Sequence, residues 1–362
     1  SNMGNDNTLR LFQLFLNANQ ITGTIPSSLG SLTNVQTLRL NSNQLIGTLP
    51  TELVQMTSCV AYVVNSNRLT GTLSDWFDAA NSTSFPLLIG FDVSDNNFVG
   101  TIPSRIFDIP TLEILSISKN CFGGEFPENI CGVPGLKVLY MDGLAAGRNC
   151  RHFLSSGVFD SPNVYTADYF YDSLPPCLFN AMPNLITLHV GANGLLSTLP
   201  DINTSVSVLS TVDLSYNRLH STIPLSFQTA TMLVSLDLSY NQLTGTIERM
   251  NNIYIPGRNI TPESSTSTEE GLQLLVNRLS GYIPEMYHYA PNIDILSSNL
   301  FSCAAPFDTI PVNDPISERY VCASDFLDNA GYFAVICFVL LAAILIGRLT
   351  YKGVMKRDDD AA

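Results

Sequence analysis

The stretch VQTLRLNSNQLIGTLP, residues 35–50, places Val35, Leu38, Leu40, Asn43, Leu45, Gly47, Leu49 and Pro50 in the frame L-x-x-L-x-L-x-x-N-x-L-x-G-x-I-P. The frame occurs just upstream as Leu11, Leu14, Leu16, Asn19, Ile21, Gly23, Ile25 and Pro26. Its asparagine returns at Asn19, Asn43, Asn67, Asn96, Asn120, Asn193, Asn217, Asn241, Asn277 and Asn299. Six of the nine intervals between these asparagines are 24 residues or within two of it. A fixed period of this size is the mark of stacked supersecondary units, so the predicted fold class is an α/β repeat solenoid.

Each position of the frame has a physical role. The L-x-L segment has the period of a strand, so both leucines point into the solenoid. One coil cannot bury that face alone, whereas stacked coils bury a continuous core. The asparagine is expected to turn inward and satisfy backbone groups at the bend, and losing one such amide should cost about 1–3 kcal/mol. The glycine permits a second bend and the Ile-Pro pair fixes it.

The period is broken in three places. Asn67 to Asn96 carries five extra residues, placed near Asp78–Ser82, and Asn241 to Asn277 carries twelve, including the polar run 262–268. The interval from Asn120 to Asn193 is 73 residues, about three periods. Leu136, Leu139 and Met141 supply one strand there, with Leu144 in the asparagine position. A second, degenerate coil is read around Val164, Tyr169 and Pro176, carrying an irregular excursion over about 145–175 and bringing the total to about twelve coils. The repeat domain is then 1–300, followed by a cap and juxtamembrane segment at 301–329.

Residues 330–347, AGYFAVICFVLLAAILIG, hold no charge. At about 1.5 Å per residue they are just long enough to cross a bilayer. Asp325 and Asp328 precede them, and on their C-terminal side stand Arg348, Lys352, Lys356 and Arg357. The positive-inside rule puts the tail, 348–362, in the cytoplasm and the repeats outside, as expected of a single-pass plasma-membrane protein. Gly331, Ala334, Ala342, Ala343 and Gly347 offer small residues for packing against another helix. The opening SNMGNDNTLRLF shows no signal peptide and exposes Leu11, Leu14 and Leu16 at an open edge, which suggests that further N-terminal sequence precedes it.

Cysteine usage fits an oxidising compartment. Cys59 takes a leucine position and Cys337 falls in the apolar run. Cys303 and Cys322 bracket the segment after the last coil and are expected to pair, sealing that edge. Cys121, Cys131, Cys150 and Cys177 surround the broken interval and allow three connectivities. Asn81, Asn203 and Asn259 head N-x-S/T sequons.

The charge balance, 17 Lys and Arg against 31 Asp and Glu, gives a net charge of -14 and argues against nucleic acid as a partner. No nucleophile elbow, P-loop, zincin or kinase motif is present, and the four histidines lack metal-ligand spacing. No catalytic residue, metal or cofactor is therefore expected, and the chain is read as not an enzyme. Candidate ligand contacts are the outward residues of the strands, Asp92, Tyr140, Asp142, His189, Asp213 and Asp237. Asp213 and Asp237 stand one coil apart in one row, although the run L-D-L-S-Y-N is also ordinary surface filler in such a repeat.

The L-x-G-x-I-P half of the frame, as in Leu45-Ile46-Gly47-Thr48-Leu49-Pro50, resembles the plant-type leucine-rich repeat over about residues 9–300. That resemblance implies a horseshoe. With the apolar run and the short tail, it is similar to the kinase-less receptor-like proteins of plants. The excursion resembles the island domains of some such receptors. The resemblance implies an extracellular peptide, protein or glycan ligand, with signalling through a membrane kinase or co-receptor in trans. An adhesion or wall-associated structural protein, anchored in the lipid bilayer without cytoplasmic output, is the competing expectation.

Overall fold

The computed structural model describes residues 11–78, 85–146, 150, 173–248, 271–302 and 309–323. Its spine is a parallel sheet of eleven strands, one from each coil. In order these are Gln13–Phe15, Thr37–Arg39, Ala61–Val63, Gly90–Asp92, Ile114–Ser116, Val138–Tyr140, Thr187–His189, Thr211–Asp213, Ser235–Asp237, Leu272–Gln273 and Ile293–Asp294. The register stacks one apolar column, Leu14, Leu38, Tyr62, Phe91, Leu115, Leu139, Leu188, Val212, Leu236, Leu272 and Ile293. All are buried. Each contributes about 1.5–3 kcal/mol by leaving water.

The bend after each strand is held by the asparagines. Asn217 accepts from the Asn193 and Leu195 N–H groups at 3.2 and 3.1 Å. Its Nδ2 donates to Val190 O of the previous coil and Leu214 O of its own, both at 2.9 Å. Asn43, Asn67, Asn96, Asn120, Asn241, Asn277 and Asn299 repeat this two-coil bracket. Asn193 reaches back in the same way, from Leu144 N–H to Met141 O. Asn19, in the first described coil, is exposed and donates only to Leu16 O and Asn17 O of its own coil.

Beyond the bend, Gly47 adopts φ +82°, where a Cβ would also approach the Thr24 methyl to 2.9 Å. Pro50, at φ -62°, then opens the 3-10 turn Thr51–Gln55, and its carbonyl accepts from Leu53 N–H. Pro26, Pro103 and Pro284 open 3-10 turns in the same way, and Pro224 opens a short α-helix.

Two expectations about the broken intervals are corrected. Leu139 pairs directly with Leu188, so no strand of a degenerate coil lies between them. Among the described residues the ladder has eleven coils rather than about twelve, and Pro176 opens the return of the coil that holds Leu144, through the helix Cys177–Asn180. The excursion is thus an insertion within one coil. Its residues 147–149 and 151–172, with Val164 and Tyr169, lie outside the described residues. Disulfides join Cys121 to Cys150 and Cys131 to Cys177, tying both ends of the insertion to the preceding coil.

Of the insertion expected near Asp78–Ser82, residues 79–84 lie outside the described residues; just before it, at the usual turn position of the coil, stands the helix Leu73–Asp78. It buries Trp76 against Tyr62, Phe85 and Phe91, with ring centroids 4.8 to 5.6 Å apart. The indole Nε1 donates to Pro50 O at 3.1 Å.

The last coil is closed by the segment 309–323. Asp314, 3% exposed, accepts from Ile295, Leu296 and Ile316 N–H groups. The Tyr320 hydroxyl accepts from Phe301 N–H at 2.7 Å. Cys322 is buried and disulfide-bonded. Its expected partner Cys303, with Asn81, Asn259, Cys337, the run 262–268, the apolar run 330–347 and the tail, lies outside the described residues. Among the described residues no helix is long and apolar enough to cross a membrane.

Candidate functional site: the outward row of the sheet

Alternation along each strand turns its third residue outward, and the stacked third residues form one row. From the first coil it reads Phe15, Arg39, Val63, Asp92, Ser116, Tyr140, His189, Asp213 and Asp237. Gln273 and Asp294 continue it.

The sequence-predicted residues fall into two groups. Asp92 stands apart, two strands before Tyr140, and its Oδ1 accepts from the Ser94 N–H and hydroxyl at 3.0 and 2.6 Å. Tyr140, Asp142, His189, Asp213 and Asp237 come together. The Tyr140 ring meets the His189 ring edge-on, with centroids 4.7 Å apart. His189 Nδ1 lies 3.6 Å from Asp142 Oδ2. Asp142 Oδ1 accepts from Gly191 N–H at 2.8 Å. Asp213 and Asp237 each accept from the N–H two residues on, Ser215 and Ser239, at 2.8 Å. The D-x-S pattern therefore has a local role at the bend, as filler would, and occupies one oxygen of each carboxylate in it.

Burial holds the Asp237 carboxyl above the usual range; the Ser239 bonds oppose that shift and the Asp213 charge adds to it. Asp294 is also held up, first by desolvation and then by Asp314 and Asp237. Four adjacent coils thus present three carboxylates, and at Asp237 and Asp294 burial and like charge oppose the charged form, an arrangement that attracts a cation. Beside them Tyr216 and Tyr240, both exposed, stack at 4.1 Å. Cys59 is a free thiol, 1% exposed, pushed up to about 11 by burial, and is no nucleophile.

Sequence reasoning missed Gln273 and Asp294. Gln273 shares the offset of four before its asparagine that marks Asp213 and Asp237. Asp294 sits five before Asn299, because the last coil holds one extra residue at the bend. It also missed that Asp142, His189 and Asp213 each offer a ligand atom within 4.8 Å of the others.

Family models described as Leucine Rich Repeat match residues 10–32, 34–56, 111–133 and 208–230, and a related Leucine Rich repeat model matches 229–247. These segments carry leucine-rich repeats. Among solved structures it is similar to the ectodomain of the Arabidopsis thaliana membrane receptor kinase GASSHO1/SCHENGEN3. There the identity is 24% and the TM-score 0.60, over 81% of this chain and 30% of that one. It is similar to the plant peptide hormone receptor RGFR1, solved in complex with RGF2, at 25% identity and TM-score 0.58, over 81% and 44% of the two chains. A TDR receptor matches at 23% identity and TM-score 0.59, over 83% and 49%. The chain thus spans less than half of each of these similar structures. No curated protein sequence matches it. The likeness shows the fold, a solenoid of leucine-rich repeats.

Proposed function

We propose that the repeats form the extracellular ligand-binding part of a single-pass plasma-membrane receptor-like protein. The ligand, a peptide or protein segment with cationic side chains, lies across the C-terminal half of the outward row. A membrane kinase or co-receptor in trans relays the signal. The observation that carries this reading is the run of Asp213, Asp237 and Asp294 within four successive coils, each at the end of a sheet strand. Two disulfides suit an extracellular compartment. The apolar run 330–347 supplies the anchor, and the peptide-hormone receptor among the similar structures lends the ligand class.

The stacked pair Tyr216 and Tyr240 favours a second reading, adhesion to a glycan surface. Exposed tyrosines beside carboxylates present flat apolar area and hydrogen-bond acceptors together.

Proximity labelling from an enzyme fused after Ala362, in the native cell, separates the two. A receptor should label a transmembrane kinase, and that signal should vanish when 330–347 is replaced by an unrelated span. Labelling of cytoskeletal and bulk membrane proteins alone would sink the receptor reading in favour of adhesion.

A further inference from the structure

We propose that Asp142, His189 and Asp213 form a binding site for a divalent transition-metal cation on the outward face of the sheet. One ligand atom from each lies within 4.8 Å of the other two. Metal–ligand bonds of about 2.0–2.2 Å bring such atoms to roughly 3–4 Å from one another, a closure that small side-chain rotations supply. One imidazole nitrogen with two carboxylate oxygens suits Zn2+ or Mn2+, and the nitrogen disfavours Ca2+ and Mg2+, which take oxygen ligands.

Three further observations support the site. Each carboxylate is oriented from behind by a backbone N–H: Gly191 to Asp142 Oδ1 and Ser215 to Asp213 Oδ1, both at 2.8 Å. The opposed oxygens are left for a metal, and the edge of Tyr140 steadies the imidazole. Position 191 is glycine, and a Cβ there would come within 3.2 Å of Asp213 Oδ1 and 3.3 Å of Asp142 Oδ1. A Cβ there would press on both carboxylates, which would have to shift by a few tenths of an ångström. Finally, the His189 and Asp142 side chains are 13% and 26% exposed, reachable by an ion yet shielded enough to strengthen its hold.

The site shares Asp213 with the proposed peptide surface but takes up its ion with no other ligand present, so metal binding is tested apart from the peptide reading. Three protein ligands leave coordination positions open to water or to a ligand group. The competing account is an ion pair between protonated His189 and the two carboxylates, which binds no metal.

The test uses the full chain in detergent micelles, stripped of metal and dialysed against Zn2+ or Mn2+, with bound metal counted and thermal melting followed. The expected result is one equivalent bound, with a rise in Tm. His189→Ala and the double variant Asp142→Asn/Asp213→Asn should each lower affinity at least tenfold. Gly191→Ala, which removes no ligand, should lower it severalfold. His220→Ala, in the outer strand His220–Thr222, should bind like the wild type. Should a variant fail to fold, the wild-type melt decides alone. No uptake of either ion, or uptake undiminished in the folded His189 and double variants, overturns the proposal and leaves the ion pair.

Discussion

The first five coils and the last five share one interior and differ in what they turn outward. Upstream, the strand ends read Phe15, Arg39, Val63, Asp92 and Ser116, and the Arg39 guanidinium lies 5.3 Å from the Phe15 ring centre. Exposed Ile89 and Ile114 add to an apolar character. Downstream they read His189, Asp213, Asp237, Gln273 and Asp294. Behind both runs stand the same apolar column and the same asparagine bracket. The interior is uniform because every buried amide and carbonyl must find a partner, and one solution repeats. The outward row is under no such constraint, so its chemistry can be set by what the domain binds.

The shared interior should break equally in either half. Asn120→Ala and Asn217→Ala each orphan several buried backbone groups, and chemical denaturation should show a loss of about 3 kcal/mol or more for both. A loss confined to one half would mean that the brackets are not equivalent. Asp314→Ala should cost about 2 kcal/mol, because it strips the Ile295, Leu296 and Ile316 N–H groups of their acceptor. Hydrogen exchange should quicken at Ile295 and Leu296 and stay unchanged around Asn43.

The outward difference should be visible in binding. For an oligolysine peptide, Asp213→Lys with Asp237→Lys should weaken association at least tenfold, and Val63→Lys with Ile114→Lys should leave it nearly unchanged, by titration calorimetry. Equal losses would erase the distinction between the two faces. The smallest effect concerns Asp294. Its folded carboxyl is held above the unfolded value, so the charged form opposes folding above that range and the penalty fades as pH falls through it. Asp294→Asn should therefore raise Tm at pH 7, by about 1 °C. The gain should shrink towards pH 4, and calorimetric melts at the two pH values check the sign.

The asparagines, the leucine column and the proline-opened turns are legible in the sequence because each repeats at one period and has one physical job. Three particulars are not. Spacing miscounts the coil that holds Leu144, because the return to Pro176 runs through an insertion, and spacing alone cannot tell an extra coil from a long loop. Once Leu139 is seen opposite Leu188 the ambiguity is gone. The trio Asp142, His189 and Asp213 escapes because its members are far apart in sequence and Asp142 stands two residues past the row position that His189 and Asp213 share. Only the stacking of coils, with glycine at 191, brings their atoms to one place. Asp314 has no repeat position at all, and nothing in its sequence surroundings marks it as the stopper of the last coil.

The rung at Leu144 has a consequence for how the chain comes apart. With no side-chain amide there, the Phe122 N–H turns to the Leu144 carbonyl, and the bracket linking the two halves is thinner than any other. A stacked array unravels by separation at its weakest joint, and the next joint along, between Leu139 and Leu188, carries the longest tether. Lengthening a tether from one period to two adds only about 0.6 kcal/mol of closure entropy, so the insertion itself is cheap. The disulfides Cys121–Cys150 and Cys131–Cys177 sit across the weakest joint like stitches across a seam. Oxidised, the solenoid should melt as one body; reduced, it should part into two blocks that lose their structure at different temperatures.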